Sequence, residues 1–189
     1  MAVLLAKRSL AWEGAVRPRS VDNFLKQARV PYTTFRHPEA FTAQAEAAAS
    51  HVPGRSWVKI VVCFADDEPI QAVLPAPFMV DLEQLLVLTG ACIIRLATEP
   101  EFRKLYPDCE PGAMPPFGTL YFQRVFVDRI LVGESEMVFN AGTHIDAIRM
   151  HYEDFAVVAN PVVGAFCCQP SAKASTPQTR KSPGPQEFV

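Results

Sequence analysis

No run of about eighteen apolar residues occurs in the 189-residue chain, so no segment reads as a membrane-spanning helix. Nor does the start resemble a secretory leader. Met1 to Leu10 holds a short apolar piece, Ala2 to Ala6, and two basic residues, without a long hydrophobic stretch or a small-residue cleavage site. The expected compartment is the cytosol. The five cysteines, at 63, 92, 109, 167 and 168, form no Cys-x-x-Cys pair, and adjacent Cys167 and Cys168 cannot close an ordinary disulfide within one extended segment. A disulfide framework or a structural zinc site is therefore not expected. The chain also lacks a His-x-x-x-His pair, a Gly-x-Ser-x-Gly elbow and a Walker loop, which removes support for zinc hydrolases, serine hydrolases and P-loop enzymes. No repeat recurs at a solenoid period.

A surplus of positive charge is missing as well. The net charge is −2 and unevenly spread, with the positive excess at the ends: Lys7, Arg8, Arg17 and Arg19 against Glu13, then Lys173, Arg180 and Lys181 against Glu187. The body between is acidic. Such a body does not suit a protein that grips a long nucleic-acid backbone, but it can serve one that grasps only the end of an RNA.

What is present is a core. Nearly half of the chain, 49 %, is hydrophobic, and 20 % is charged. The expected organisation is a loosely ordered segment at 1–19, one domain at 20–168, and a disordered tail at 169–189. That tail is rich in Pro, Ser, Lys, Thr and Gln and can bury too little surface to offset ordering entropy. Within the domain Ser20 caps a helix carrying Val21, Phe24, Leu25 and Ala28. Val30 to Phe35 reads as a strand, and Thr42 opens an Ala-rich helix. Two β-branched runs, Trp57 to Phe64 and Ile70 to Leu74, flank Ala65-Asp66-Asp67-Glu68 and predict an antiparallel hairpin. Asp81 with Gln84 and Thr98 with Glu101 mark two helix starts. Strands are expected at Ile93 to Leu96, Tyr121 to Asp128, Glu136 to Asn140 and Ala147 to Met150. A last helix runs from Tyr152 to Ala159 and stops before Pro161. This mixture predicts an α+β fold rather than a doubly wound parallel sheet.

Three places can carry chemistry. Lys59 lies in a strand apolar on both faces, where its charge is costly to place. A structural lysine whose stem packs while its amine reaches water explains the position as well as a functional one does. The segment Glu110 to Gly118 holds two glycines and three prolines, which impose an irregular backbone with N–H groups outside any ladder. It reads as a rigid connector or as a loop offering an N–H to an oxyanion. Phe139 to His144 ends a strand in a glycine and a histidine, a pattern compatible with a polar pocket rim. His37 and Phe41, before the Ala-rich helix, are ambiguous.

In order and spacing, these segments resemble the YbaK/prolyl-tRNA synthetase editing-domain family over roughly residues 21–166. The matching stretches are His37-Pro38, Thr42 to Ala48, Lys59, Val73 to Ala76, Asp81-Leu82, Arg95 to Ala97, Gly112 to Gly118, Val127-Asp128 and Asn140 to His144. The resemblance implies a mixed, partly barrel-like sheet surrounded by helices. It implies hydrolysis of the ester joining a wrong amino acid to transfer RNA by a free-standing enzyme without metal or cofactor. The implied partners are the 3′ acceptor end of a mischarged aminoacyl-tRNA and, among proteins, prolyl-tRNA synthetase or an elongation factor. By position, Lys59 matches the essential lysine and Gly112 the loop amide that polarises the ester carbonyl. His37, Phe41, Pro116, Gly118, Asn140, Gly142 and His144 match substrate-binding positions. Relatives often carry a small polar residue after the lysine, where this chain has Ile60, and an aromatic where it has His37; both bear on which amino acid is removed. An inactive binding module of the same fold is the alternative, and retention of Lys59 with the glycine loop favours the enzyme.

Overall fold

The computed structural model describes residues 21–170. The expected loose segment at 1–19, the Ser20 cap and the tail beyond residue 170 lie outside the described residues. In chain order the elements are α1 (Val21–Ala28), β1 (Thr33–Arg36), α2 (Ala43–Ala49), β2 (Val58–Ala65), β3 (Glu68–Pro75), β4 (Met79–Val80), α3 (Leu82–Thr89), β5 (Ile94–Leu96) and α4 (Glu99–Leu105). There follow a 3₁₀ turn (Gly118–Tyr121), β6 (Arg124–Asp128), α5 (Arg129–Val132), β7 (Glu136–Asn140), β8 (Asp146–His151), α6 (Tyr152–Ala159), β9 (Val162–Gly164) and β10 (Cys167–Cys168).

The predicted hairpin is the centre of the fold. β2 and β3 pair antiparallel from Val58↔Pro75 to Ala65↔Glu68. Asp66 turns the corner at φ 54, and its carboxylate accepts the N–H groups of Cys92 and Ile93 at 3.0 Å each. β6 joins β3 in parallel and β9 joins β6 in parallel, while β5 pairs only with the far end of β2, giving the order β5-β2-β3-β6-β9. A second sheet, β1-β8-β7, meets the first through a parallel bridge between Trp57 and Val138, where the Val138 N–H donates to Ser56 O at 2.8 Å. A small ribbon, β4 with β10, stands apart.

The alternation of side chains along the strands divides the core. Val58, Val73, Val125 and Val127 face α1, α6 and the second sheet, where Phe117, Phe139 and Phe155 cluster. Cys63, Ala72, Leu74 and Phe126 face the opposite way, toward Leu85 of α3 and Phe166. β2 is thus covered on both faces, as its sequence predicts.

The helix starts follow the capping chemistry. Thr42 Oγ1 accepts the Ala45 N–H at 3.2 Å, Asp81 accepts those of Glu83 and Gln84, and the Thr98 N–H donates to Glu101 at 2.8 Å. The expected strand from Tyr121 is shorter than predicted. Residues up to Tyr121 form the 3₁₀ turn, Phe122 adopts φ 56, and the Gln123 N–H returns to Gly118 O at 2.9 Å before β6 begins at Arg124. A Cβ on Gly118 would lie 2.3 Å from Gln123 O, so this reversal depends on the glycine. The short elements β4, α5, β9 and β10 carry too few residues to show a period and were not anticipated.

Candidate active site

A cavity of about 110 Å³ opens between α2, the start of β2, the glycine–proline loop and the turn after β7. Thr42 starts α2 so that Glu46, its one charged residue, points inward and is 3 % exposed. Asn140, at the end of β7, donates from Nδ2 to Glu46 Oε1 at 2.8 Å. His144 Nδ1 lies 2.9 Å from the same oxygen, and His144 Nε2 lies 2.9 Å from Pro111 O. With Glu46 ionised, both ring nitrogens face acceptors, an arrangement that the doubly protonated imidazolium satisfies. Burial by itself would lower the His144 pKa; the bonds to Glu46 and Pro111 O, with the charges of Glu46 and Glu110, outweigh it and hold the group above its ordinary value.

The glycine loop is stitched to the turn at 140–146. The Glu110 N–H donates to Gly142 O and the Gly142 N–H to Ala113 O, each at 2.9 Å. The His144 N–H donates to Glu110 Oε2 at 2.7 Å. Gly112 and Gly142 hold φ of +95 and +107, backbone that favours glycine. From below, buried Met114 and Phe117 anchor the loop in the core, and Phe117 packs its ring on Phe24, Phe139 and Phe155. Gln71 Nε2 reaches Pro115 O at 3.4 Å and the Tyr106 hydroxyl at 3.2 Å, and that hydroxyl donates to Gln123 Oε1. No backbone carbonyl among the described residues engages the Gly112 N–H.

Lys59 lines the cavity, and its ammonium donates to Ala76 O at 3.1 Å. Burial pushes its pKa below the usual lysine range, with nearby Cys167 acting in the opposite direction. Beyond Trp57, the outer edge of β2 stays unpaired until β5 begins opposite Cys63. Because Val62 O points to that edge to accept the Ala97 N–H, strand alternation turns the peptide groups of Ile60 the same way.

Of the residues singled out from the sequence, Phe41, Lys59, Gly112, Asn140 and His144 meet at this cavity. Phe41 is 72 % exposed at the rim, its ring 5.3 Å from that of His144. Gly142 contributes through its peptide groups to the loop. His37 lies away from the lining, with its ring edge-on to Trp57 at 5.2 Å and Nδ1 against Pro38 O. Pro116 is buried beside Gly118, and Gly118 packs on Gln123 and Val125. Glu46 carries no motif that marks it in the sequence. Its only local signal is that it is the one charge in the run Ala43 to Ala49.

The family model of the aminoacyl-tRNA editing domain matches residues 37–157. Among solved structures, that of a hypothetical protein superposes with a TM-score of 0.71 at 18 % identity, covering 78 % of this chain and 98 % of its own. A protein proposed to be a trans-editing enzyme for prolyl-tRNA synthetase gives 0.69 at 21 % identity, covering 80 % and 98 %. A proposed signal transduction protein from Marinobacter aquaeolei VT8 gives 0.60 at 18 % identity, covering 77 % of this chain and 30 % of its own. At such identities the likeness is one of fold. No curated protein sequence gives a significant match.

Proposed function

Because the chain belongs to the aminoacyl-tRNA editing domain family, we propose that it hydrolyses the ester of a mischarged aminoacyl-tRNA. The substrate is proline tRNA carrying a small amino acid such as alanine, cysteine or serine, and the enzyme acts in trans, as proposed for one structural neighbour. One observation carries this reading. A small cavity brings the amide of a positive-φ glycine, an imidazolium and a lysine to one place.

The cavity holds a small acyl group, while the ribose and base lie at the mouth beside Phe41. The ester carbonyl points at the Gly112 N–H. Water adds to the carbonyl carbon, and the amide stabilises the oxyanion, with the His144 imidazolium adding positive potential. The bond to the ribose oxygen then breaks, that oxygen takes up a proton, and free amino acid and tRNA leave. A neighbouring ribose hydroxyl can assist the water. An ammonium has three donors, of which Lys59 places one on Ala76 O, so others can meet the terminal phosphate.

Proline tRNAs charged with alanine, cysteine or serine and incubated with the protein should lose their amino acid, and Lys59→Ala should slow this strongly. If no charged tRNA in a broad panel is deacylated above the spontaneous rate, the enzyme reading fails.

A further inference from the structure

Asn140 is 5 % exposed and lines the cavity, yet its Oδ1 has no hydrogen-bond partner among the described residues. The orientation of the carboxamide is not arbitrary. Nδ2 must face the Glu46 carboxylate, since Oδ1 in its place would set two acceptors against each other. A buried carbonyl without a donor bears its full desolvation penalty, and such atoms are uncommon in folded proteins. Of the donors that line the cavity, His144 Nδ1 is bonded to Glu46 and His144 Nε2 to Pro111 O, while the Lys59 ammonium places one of its three N–H groups on Ala76 O and none on Asn140. This end of the cavity presents acceptors and therefore suits a ligand that brings hydrogens.

We infer that Asn140 Oδ1, beside the Glu46 carboxylate, receives the α-amino group of the aminoacyl ester, so that the enzyme selects esters of amino acids whose amino group is free. The inference rests on the deacylase reading for the identity of the ester. In such an ester the amino group is the one strong donor set a single carbon from the reacting carbonyl. With the carbonyl on the Gly112 N–H, that donor can turn toward the acceptor end. Gly112 and Asn140 are linked there through His144, which lies against the first and shares the Glu46 oxygen with the second. As the imidazolium balances the Glu46 charge, selection depends on the hydrogen bond to Oδ1 rather than on net attraction. Formyl, acetyl or peptidyl substitution on the nitrogen removes donors and adds bulk, and such esters are refused.

The test compares alanyl-, propionyl- and N-acetylalanyl-tRNA, each rate divided by its spontaneous hydrolysis. Wild type should favour alanyl over propionyl by about tenfold to a hundredfold in kcat/KM, because a site built to bond an N–H rejects the analogue lacking it. N-acetylalanyl-tRNA should be slower still. Asn140→Ala should bring the alanyl-to-propionyl ratio to within about threefold by slowing the alanyl ester. Binding of amide-linked 3′-alanyl and 3′-propionyl adenosine analogues to wild type reads the same preference without catalysis or a variant, and the alanyl analogue should bind at least tenfold more tightly. Equal hydrolysis of the alanyl and propionyl esters, or equal binding of the two analogues, overturns the inference and leaves the deacylase reading intact. Selective binding of the alanyl analogue with no hydrolysis of any ester upholds amino-group recognition and removes the deacylase reading.

Discussion

Glu46 and His144, ninety-eight positions apart in the chain, meet at 2.9 Å between carboxylate Oε1 and ring Nδ1. The contact ties helix α2 to the loop that carries Gly112, because the other nitrogen of the same ring is bonded to Pro111 O.

The folded pKa of His144 lies above its ordinary value, so its contribution to stability is complete below the unfolded pKa and is lost as pH rises through the folded one. The stability difference between wild type and His144→Ala should be about 3 kcal/mol just below the ordinary histidine pKa and should shrink as pH rises above it. Urea denaturation across a pH series measures it. A difference that grew with pH would contradict the imidazolium.

For Lys59 the sign is reversed. Burial depresses its pKa, so the charged form costs stability at neutral pH, and the cost disappears only above the ordinary lysine range. Lys59→Met should leave stability within about 1 kcal/mol of wild type, the lost bond to Ala76 O offsetting the relief, while deacylation falls by about tenfold or more. Parallel unfolding and deacylation measurements check this. A large loss of stability would assign the lysine to the scaffold.

Gly112→Ala places a side chain at φ +95, where a Cβ would still sit 3.6 Å from His144 Cε1. The backbone strain costs about 1–2 kcal/mol, and the displaced amide should lower kcat by about tenfold or more. Gly90→Ala supplies the control, as it has φ +69 with no atom within 4 Å. It should lose similar stability and retain full activity. Equal loss of activity in the two variants would remove the special role of the Gly112 amide.

Gly118→Ala should fail through packing rather than substrate binding. The new methyl would lie 2.3 Å from Gln123 O and 2.8 Å from Val125 Cγ2, a clash that the 3₁₀ turn can relieve only by opening. A loss of about 3 kcal/mol or more is expected in thermal or urea unfolding. A stable variant with weakened substrate binding would instead place Gly118 in the site.

The chain itself determines whatever depends on near neighbours. Two β-branched runs around Asp66-Asp67 specify the hairpin, Thr42, Asp81 and Thr98 specify where helices begin, and the crowding of glycine and proline after Glu110 keeps that loop out of regular structure. In each case the cause lies within a few residues, where period, capping and allowed φ are written locally. Tertiary structure decided the rest. It turned the backbone at Phe122 where a strand was expected, drew the Lys59 ammonium to Ala76 O, and carried His37 away from the cavity to Trp57. It also brought Glu46 of α2 to Asn140 and His144 at the end of β7 and the turn after it, about a hundred residues away in the chain. A buried carboxylate needs donors that its own helix does not supply, and no spacing along the chain records which distant side chains will provide them.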